Sequence, residues 1–200
     1  MKKMMLLGAL LLSATAGFAQ ESRQDVSISA MGFFAPNITG NAVHMSTTST
    51  LGVLASYRFM LTPRSALELN YSFAQMSEKY VTSFAPNVRI HTRAQEMSGA
   101  YVFNMNFRKF NPFIEAGPGA IIFTPIQDAG TNQLDAHQNT NIGALFGGGL
   151  AYELSPSFDI RAEYRGFVVK TPDFSLPGDI IRTNRYEVIS TPAIGIAYHF

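Results

Sequence analysis

The feature that most restricts this chain is that it is rich in apolar residues but, past its start, nowhere continuously apolar. Hydrophobic residues make up 46% of the sequence and charged ones only 14%, against roughly 25% charged in ordinary soluble domains. Beyond residue 19, no stretch approaches the roughly 20 apolar residues that a membrane-crossing helix needs. The apolar residues are instead spread by alternation, at the period of 2 that belongs to a strand with unlike faces.

Eight segments carry the alternation: residues 25–34, 50–59, 66–75, 92–103, 112–123, 141–153, 158–169 and 186–200. In the first, Val26, Ile28 and Ala30 oppose Ser27 and Ser29. In the second, Leu51, Val53, Ala55, Tyr57 and Phe59 oppose Thr50, Gly52, Ser56 and Arg58. The third is the cleanest, with Leu67, Leu69, Tyr71 and Phe73 against Glu68, Asn70 and Ser72. The fourth sets Met97, Tyr101 and Phe103 against Glu96 and Ser98, but Ala100 and Val102 are also apolar and leave its faces open. The seventh and eighth set Ile160, Ala162, Tyr164, Ile194, Ile196 and Tyr198 against Arg161, Glu163, Arg165, Glu187 and His199. Each segment is about 10 residues or longer, the length of a strand that crosses a bilayer at a tilt near 45°.

The connections alternate too. Those at residues 60–65, 104–111 and 154–157 are short, and those at 35–49, 76–91, 124–140 and 170–185 are long and polar. Only closed barrels and helices satisfy every backbone group in lipid. Long strands with alternately short and long connections therefore predict an all-β fold, an eight-stranded antiparallel up-and-down transmembrane β-barrel with short periplasmic turns and long outer loops.

The start of the chain has a different character. Lys2 and Lys3, the apolar run over residues 4–12 and the small-residue pattern Ala16-Gly17-Phe18-Ala19 read as an export signal peptide over residues 1–19. The barrel domain then covers residues 20–200. Without the two signal lysines the formal charge falls from +1 to −1, which gives no reason to expect nucleic acid. The absence of cysteine excludes disulfides and thiolate chemistry.

Charges on the less apolar faces must point inward, since Arg or Lys facing lipid at midplane costs roughly 2–4 kcal/mol. Arg58, Glu68, Glu96, Glu115, Arg161, Glu163 and Arg165 are expected to pair across a filled interior. Inward glycines on the fifth and sixth segments, Gly117, Gly119, Gly143, Gly147 and Gly149, would leave room for them. Catalytic signatures are weak. His44 beside Ser46 lacks an identifiable third partner, and His91 and His137 lie in polar loops without metal-ligand spacing; no catalytic residue, metal or cofactor is expected.

The chain ends in Tyr198-His199-Phe200, which resembles the assembly signal of bacterial outer-membrane barrels. Residues 51–59, 65–71, 111–120 and 160–165 with the terminal strand resemble the small barrels typified by the OmpA transmembrane domain and OmpX-like proteins, and the run Arg161-Ala162-Glu163-Tyr164-Arg165-Gly166 is similar to their penultimate strand. The resemblance implies residence in the outer-membrane lipid, assembly by the barrel assembly machinery after escort by periplasmic chaperones, and a surface ligand for the long loops. It implies no enzyme. No peptidoglycan-binding domain follows the barrel segments, so cell-wall tethering is not implied. A non-enzymatic structural, envelope-integrity or surface-contact role is the first expectation. A narrow channel for ions or small solutes is the second, and a soluble periplasmic lipid-binding barrel the third.

Overall fold

The computed structural model describes residues 23–82, 88–132, 135–176 and 181–200. The expected signal peptide lies outside the described residues. Ten strands are described: β1 (Gln24–Phe33), β2 (Ile38–Gly40), β3 (Val43–Thr47), β4 (Thr50–Thr62), β5 (Ser65–Thr82), β6 (Val88–Asn104), β7 (Phe110–Ile126), β8 (Asn139–Ser155), β9 (Phe158–Lys170) and β10 (Tyr186–His199). β1 and β4 through β10 are the eight staves of the barrel, each antiparallel to its neighbours. β10 returns to β1 through pairs running from Asp25↔His199 to Met31↔Ala193. Closure leaves the spanning part of the sheet no open edge, and so no row of unpaired backbone groups facing lipid. This is the eight-stranded antiparallel barrel that the alternation predicts.

Two of the expected loops are largely strand. β5 has 18 residues and β6 has 17, and they stay paired from Ser65↔Phe103 up to Tyr80↔Val88. Of the long loop expected at residues 76–91, residues 76–82 and 88–91 are therefore strand. Within the loop expected at residues 35–49, β2 and β3 form a hairpin, and β3 docks on the upper part of β5 from Val43↔Thr82 to Thr47↔Glu78. β4 takes over the same edge of β5 at Gly52↔Ala74. Five steps along one strand oppose four along the other, which is a β-bulge. Thr48 bridges it: its N–H donates to the Ser77 carbonyl at 3.0 Å, and the Ser77 N–H donates to its hydroxyl at 2.9 Å.

The reason these stretches look like loops is an inversion of polarity. Near the short turns, outward residues are apolar and inward ones polar, as in Leu67, Leu69 and Tyr71 against Glu68, Asn70 and Ser72. Higher on the same strand Met76 and Tyr80 are buried inside while Lys79 is exposed. On β6, Ile90 and Ala94 point in and Arg89, His91 and Arg93 point out. The barrel thus passes from a surface suited to lipid to one suited to water without breaking a strand. The faces of β6 are also fixed: Ala100 and Val102 are buried inside, Met97 and Tyr101 exposed.

The β2–β3 hairpin turns on Asn41 and Ala42, both with positive φ, at 50° and 58°. That is the two-residue turn matching strand twist, and it favours Asn and Gly but not Ala. Ala42→Gly is expected to stabilise the hairpin by about 1 kcal/mol, read as slower protease cleavage between β2 and β3 in the folded barrel.

Candidate functional site

The interior near the short turns is a charged layer built from β1, β4, β5, β6, β7 and β9. Arg58 on β4 and Glu68 on β5 occupy one register pair, and the Arg58 Nε donates to the Glu68 carboxylate. Arg161, inward on β9, spans the lumen: its Nη2 donates to Asp25 Oδ1 at 2.9 Å, its Nη1 to Ser27 Oγ at 3.3 Å, and Nη1 lies 3.7 Å from Glu68 Oε2. Two inward positions higher on β9, Arg165 Nη2 donates to Glu96 Oε1 at 2.7 Å and Arg165 Nε lies 3.5 Å from Glu115 Oε1. Ser72 and Ser98 donate to the two oxygens of Glu96 at 3.2 and 2.8 Å. Arg161 and Arg165 are among the largest fully buried side chains in the described residues, at 1% and 0% exposed.

The structure thus brings six of the seven candidate network residues into ion pairs. Glu163 is buried on β9 between the two arginines in sequence, but among the described residues no ion pair joins it. Two members are absent from the sequence reading. Asp25 lies one residue before the first outward side chain, so strand parity alone would have put it inside. Phe113 is apolar yet inward, and its ring stands 4.6 Å from the Arg58 guanidinium and 5.8 Å from that of Arg161. A guanidinium over an aromatic face is favourable where water is excluded, so the ring is part of the charged layer. The small residues opposite make it fit: a Cβ on Gly149 would come 2.6 Å from the Phe113 ring, and one on Gly147 2.8 Å from Glu115 Oε1.

Above this layer the interior changes to an apolar core. Met31, Met45, Leu54, Ile90, Phe123 and Phe167 are buried there. Phe174, Leu176 and Ile181, from the connection between β9 and β10, fold over the top. Tyr80 ties that connection down, its hydroxyl donating to Glu78 Oε2 at 3.1 Å and to the Pro172 carbonyl at 3.3 Å. The charged pairs expected in the interior occupy its lower half; in the upper half the inversion of polarity packs apolar side chains around the buried Glu78 and Glu187.

Outside, Tyr57, Phe59, Tyr101, Phe103, Phe158 and Tyr198 are exposed near the short turns. Phe158 and Tyr198 have ring centroids 5.1 Å apart, and Tyr198 stacks on Phe200 at 6.1 Å. Such rings favour a membrane interface, where one end is apolar and the other wet. The histidines lie apart. His44 Nδ1 is 2.8 Å from Thr39 Oγ1 and His137 Nδ1 2.7 Å from the Asp135 carbonyl. His199 Nε2 meets Asp159 at 2.8 Å at the short-turn rim. No group of three or more His, Asp or Glu side chains among the described residues could hold a metal.

At the long-loop end, His91 Nδ1 donates to Asp128 Oδ2 at 2.7 Å, and the Gly130 N–H donates to Asp128 Oδ1 at 2.7 Å. The bond from His91, then that from Gly130, holds the Asp128 carboxyl below its ordinary range. A depressed carboxylate stabilises the fold above its unfolded pKa and loses that contribution as pH falls through the folded one. The 128–131 turn is therefore expected to loosen in acid, below the ordinary carboxylate range; amide exchange at Gly130 and Thr131 measures this.

For the interior, Arg161→Leu leaves Asp25 without its guanidinium and is expected to cost about 3–5 kcal/mol. Glu163→Gln breaks no ion pair and is expected to change stability by about 1 kcal/mol or less. The urea midpoint of the heat-modifiable gel band separates the two.

An outer membrane protein β-barrel domain model matches residues 5–200. Three solved structures similar to the chain each match 90% of it. The surface protein NspA of Neisseria is 15% identical over 98% of its own length with a TM-score of 0.61. OprG, an outer membrane protein of Pseudomonas aeruginosa, is 9% identical over 97% with a TM-score of 0.61. Ail, the attachment invasion locus protein of Yersinia pestis, solved with the heparin analogue sucrose octasulfate, is 17% identical over 100% with a TM-score of 0.53. At these identities the likeness is one of fold. No curated protein matches the chain.

Proposed function

The chain belongs to the outer membrane protein β-barrel family, and from that premise we propose that it is a closed, non-enzymatic structural barrel that serves envelope integrity and presents its long-loop end for contact. The protein is an integral barrel of the bacterial outer membrane, so the short turns face the periplasm and the long loops the outside. The observation that carries the proposal is the interior. A salt-bridged layer fills its periplasmic half and an apolar core capped by Phe174, Leu176 and Ile181 fills its outer half. An ion entering from outside would meet packed side chains throughout, with Glu78 and Glu187 buried among apolar neighbours in the outer half, and no step along that way offers it the hydration it gives up.

The interior arginines and carboxylates act in this reading as the scaffold's internal cross-links. Tyr198 and Phe200 act as the outward aromatic pair by which the barrel assembly machinery takes the last strand, after export by the signal peptide and escort by periplasmic chaperones. The loops contact a surface ligand. A soluble lipid-binding barrel is disfavoured by the belt of exposed Leu51, Leu69, Ile142, Ile194 and their neighbours, which has its proper solvent in lipid.

The test is planar-bilayer recording of the full chain. Silence is expected for the wild type and for Arg165→Gln, because the apolar core remains in either case. Steady unitary conductance in the wild type would overturn the closed-barrel reading in favour of a narrow channel.

A further inference from the structure

Two carboxyls are buried in the upper core with no cation to answer them. Glu78 on β5 lies between its register partners Thr47 on β3 and Ile90 on β6, and Glu187 on β10 is paired with Val169 on β9. They are 1% and 4% exposed, in the apolar layer that holds Met45, Ile90, Val169 and Phe174. The two stand close enough to repel each other when charged. Glu187 Oε2 has no hydrogen-bond partner. Among the described residues no ion pair includes either acid. The charged groups on the surrounding strands point the other way: His44, Lys79, Arg89 and His91 lie on the outward phase of β3, β5 and β6, and Lys170 on that of β9. Asp173 faces Tyr80 and is itself paired with Arg182 at 3.4 Å.

Over these acids lies the arm of residues 171–176, rooted where β9 ends by the Thr171 N–H donating to the Arg185 carbonyl at 3.0 Å. Phe174 of the arm is fully buried, yet it and Ser175 have φ of 48° and 55°, a region that strains any residue with a Cβ. The arm is therefore held down by what it touches. The His137 N–H donates to the Phe174 carbonyl at 3.0 Å, and the Leu176 N–H to that of Asp173 at 3.2 Å. From below, Tyr80 reaches both the arm and the acids. Its hydroxyl has one hydrogen and two acceptors, Glu78 Oε2 at 3.1 Å and the Pro172 carbonyl at 3.3 Å.

We propose that Glu78, Glu187 and Tyr80 form a proton-operated latch beneath the 171–176 arm, seated while both acids carry their protons and released when the pair loses one. A protonated Glu78 can donate to the Tyr80 oxygen, which frees the Tyr80 hydrogen for Pro172. A charge formed on Glu78 draws that hydrogen away from the arm. A charge formed on Glu187 has neither donor nor cation and draws water in past the arm. Two facing carboxyls give up their first proton as a unit, and burial without a countercharge delays that loss. The seated state thus binds protons more tightly than the released one, and the arm loosens as pH rises above the ordinary carboxylate range. This is opposite in sign to the Asp128 turn. The charged layer lies below the latch, so release opens the apolar cup to the outside without opening the barrel to the periplasm. Conductance and latch are independent results.

The test is amide exchange on the full chain refolded in detergent, each rate taken relative to the unprotected rate at the same pH. The His137 and Leu176 amides read the arm. Between about pH 5 and about pH 8, their protection is expected to fall about tenfold or more, while the belt amides of β10 keep theirs. E78Q/E187Q, which cannot ionise, is expected to keep the protection of the acid state at both pH values. Equal protection of the wild type at both would overturn the latch. A loss that persists in E78Q/E187Q assigns it to His137 or Asp173 and overturns it too. Should that variant give no heat-modifiable band, Y80F repeats the test: low protection is expected at both pH values, and a wild-type response to pH in Y80F counts against the latch.

Discussion

Everything in this molecule depends on closing one antiparallel sheet on itself. Closure satisfies the backbone in lipid, but it also gives every strand an inside and an outside that cannot be exchanged without slipping the register. Once β10 pairs with β1 at Asp25↔His199, Arg161 has no route to water or lipid and must be answered across the lumen by Asp25 and Glu68. The salt bridges follow from closure. Their worth to stability is modest as pairs, since burying both partners costs nearly what their attraction returns, but removing one partner is severe. They therefore hold the sheet to one register more than they add to its depth of stability.

The second consequence is the division of the interior by height. Within the belt the outward face is taken by lipid-facing side chains, so polar residues are left for the lumen. Above the belt the outside is water, and the same strands do what any soluble barrel does, with apolar residues inside. Met76 and Tyr80 on β5, Ile90 on β6, Met45 on β3 and Phe167 on β9 make that upper core, and the β9–β10 connection covers it. One barrel thus contains two solutions of the same sheet, stacked end to end.

This explains how much could be read in advance. The eight staves, their closure and their placement in the outer membrane were legible because alternation within the belt is nearly unbroken from Leu67 to Phe73 and from Ile194 to Tyr198. The upper extensions were not. Lys79, Arg89 and His91 looked like loop because polar residues had begun to occupy the outward phase, and a reader looking for apolar-out alternation sees that as its end. The alternation was in fact intact with its sign reversed. Parity also explains the missed Asp25, which begins a strand whose outward phase starts one residue later. Phe113 is different, since no rule of patterning announces an aromatic ring inside a charged layer. Only the two guanidinium groups beside it give the reason.

The height at which the sign reverses is itself a physical measurement of where lipid stops, made by the sequence on each strand. On β5 and β6 it falls between the Phe73↔Gln95 and Gln75↔Arg93 pairs. The side chain placed just past that line is an arginine lying over the last aromatic ring of the belt, and the charged pair beyond it is lysine against arginine. A surface that needed only solubility could have used either sign, or could have mixed them. The cations begin at that line and continue upward through Arg93 to the Lys79↔Arg89 pair, on the wall facing away from the filled lumen, so the sign of the charge as well as the reversal of polarity marks where the belt ends.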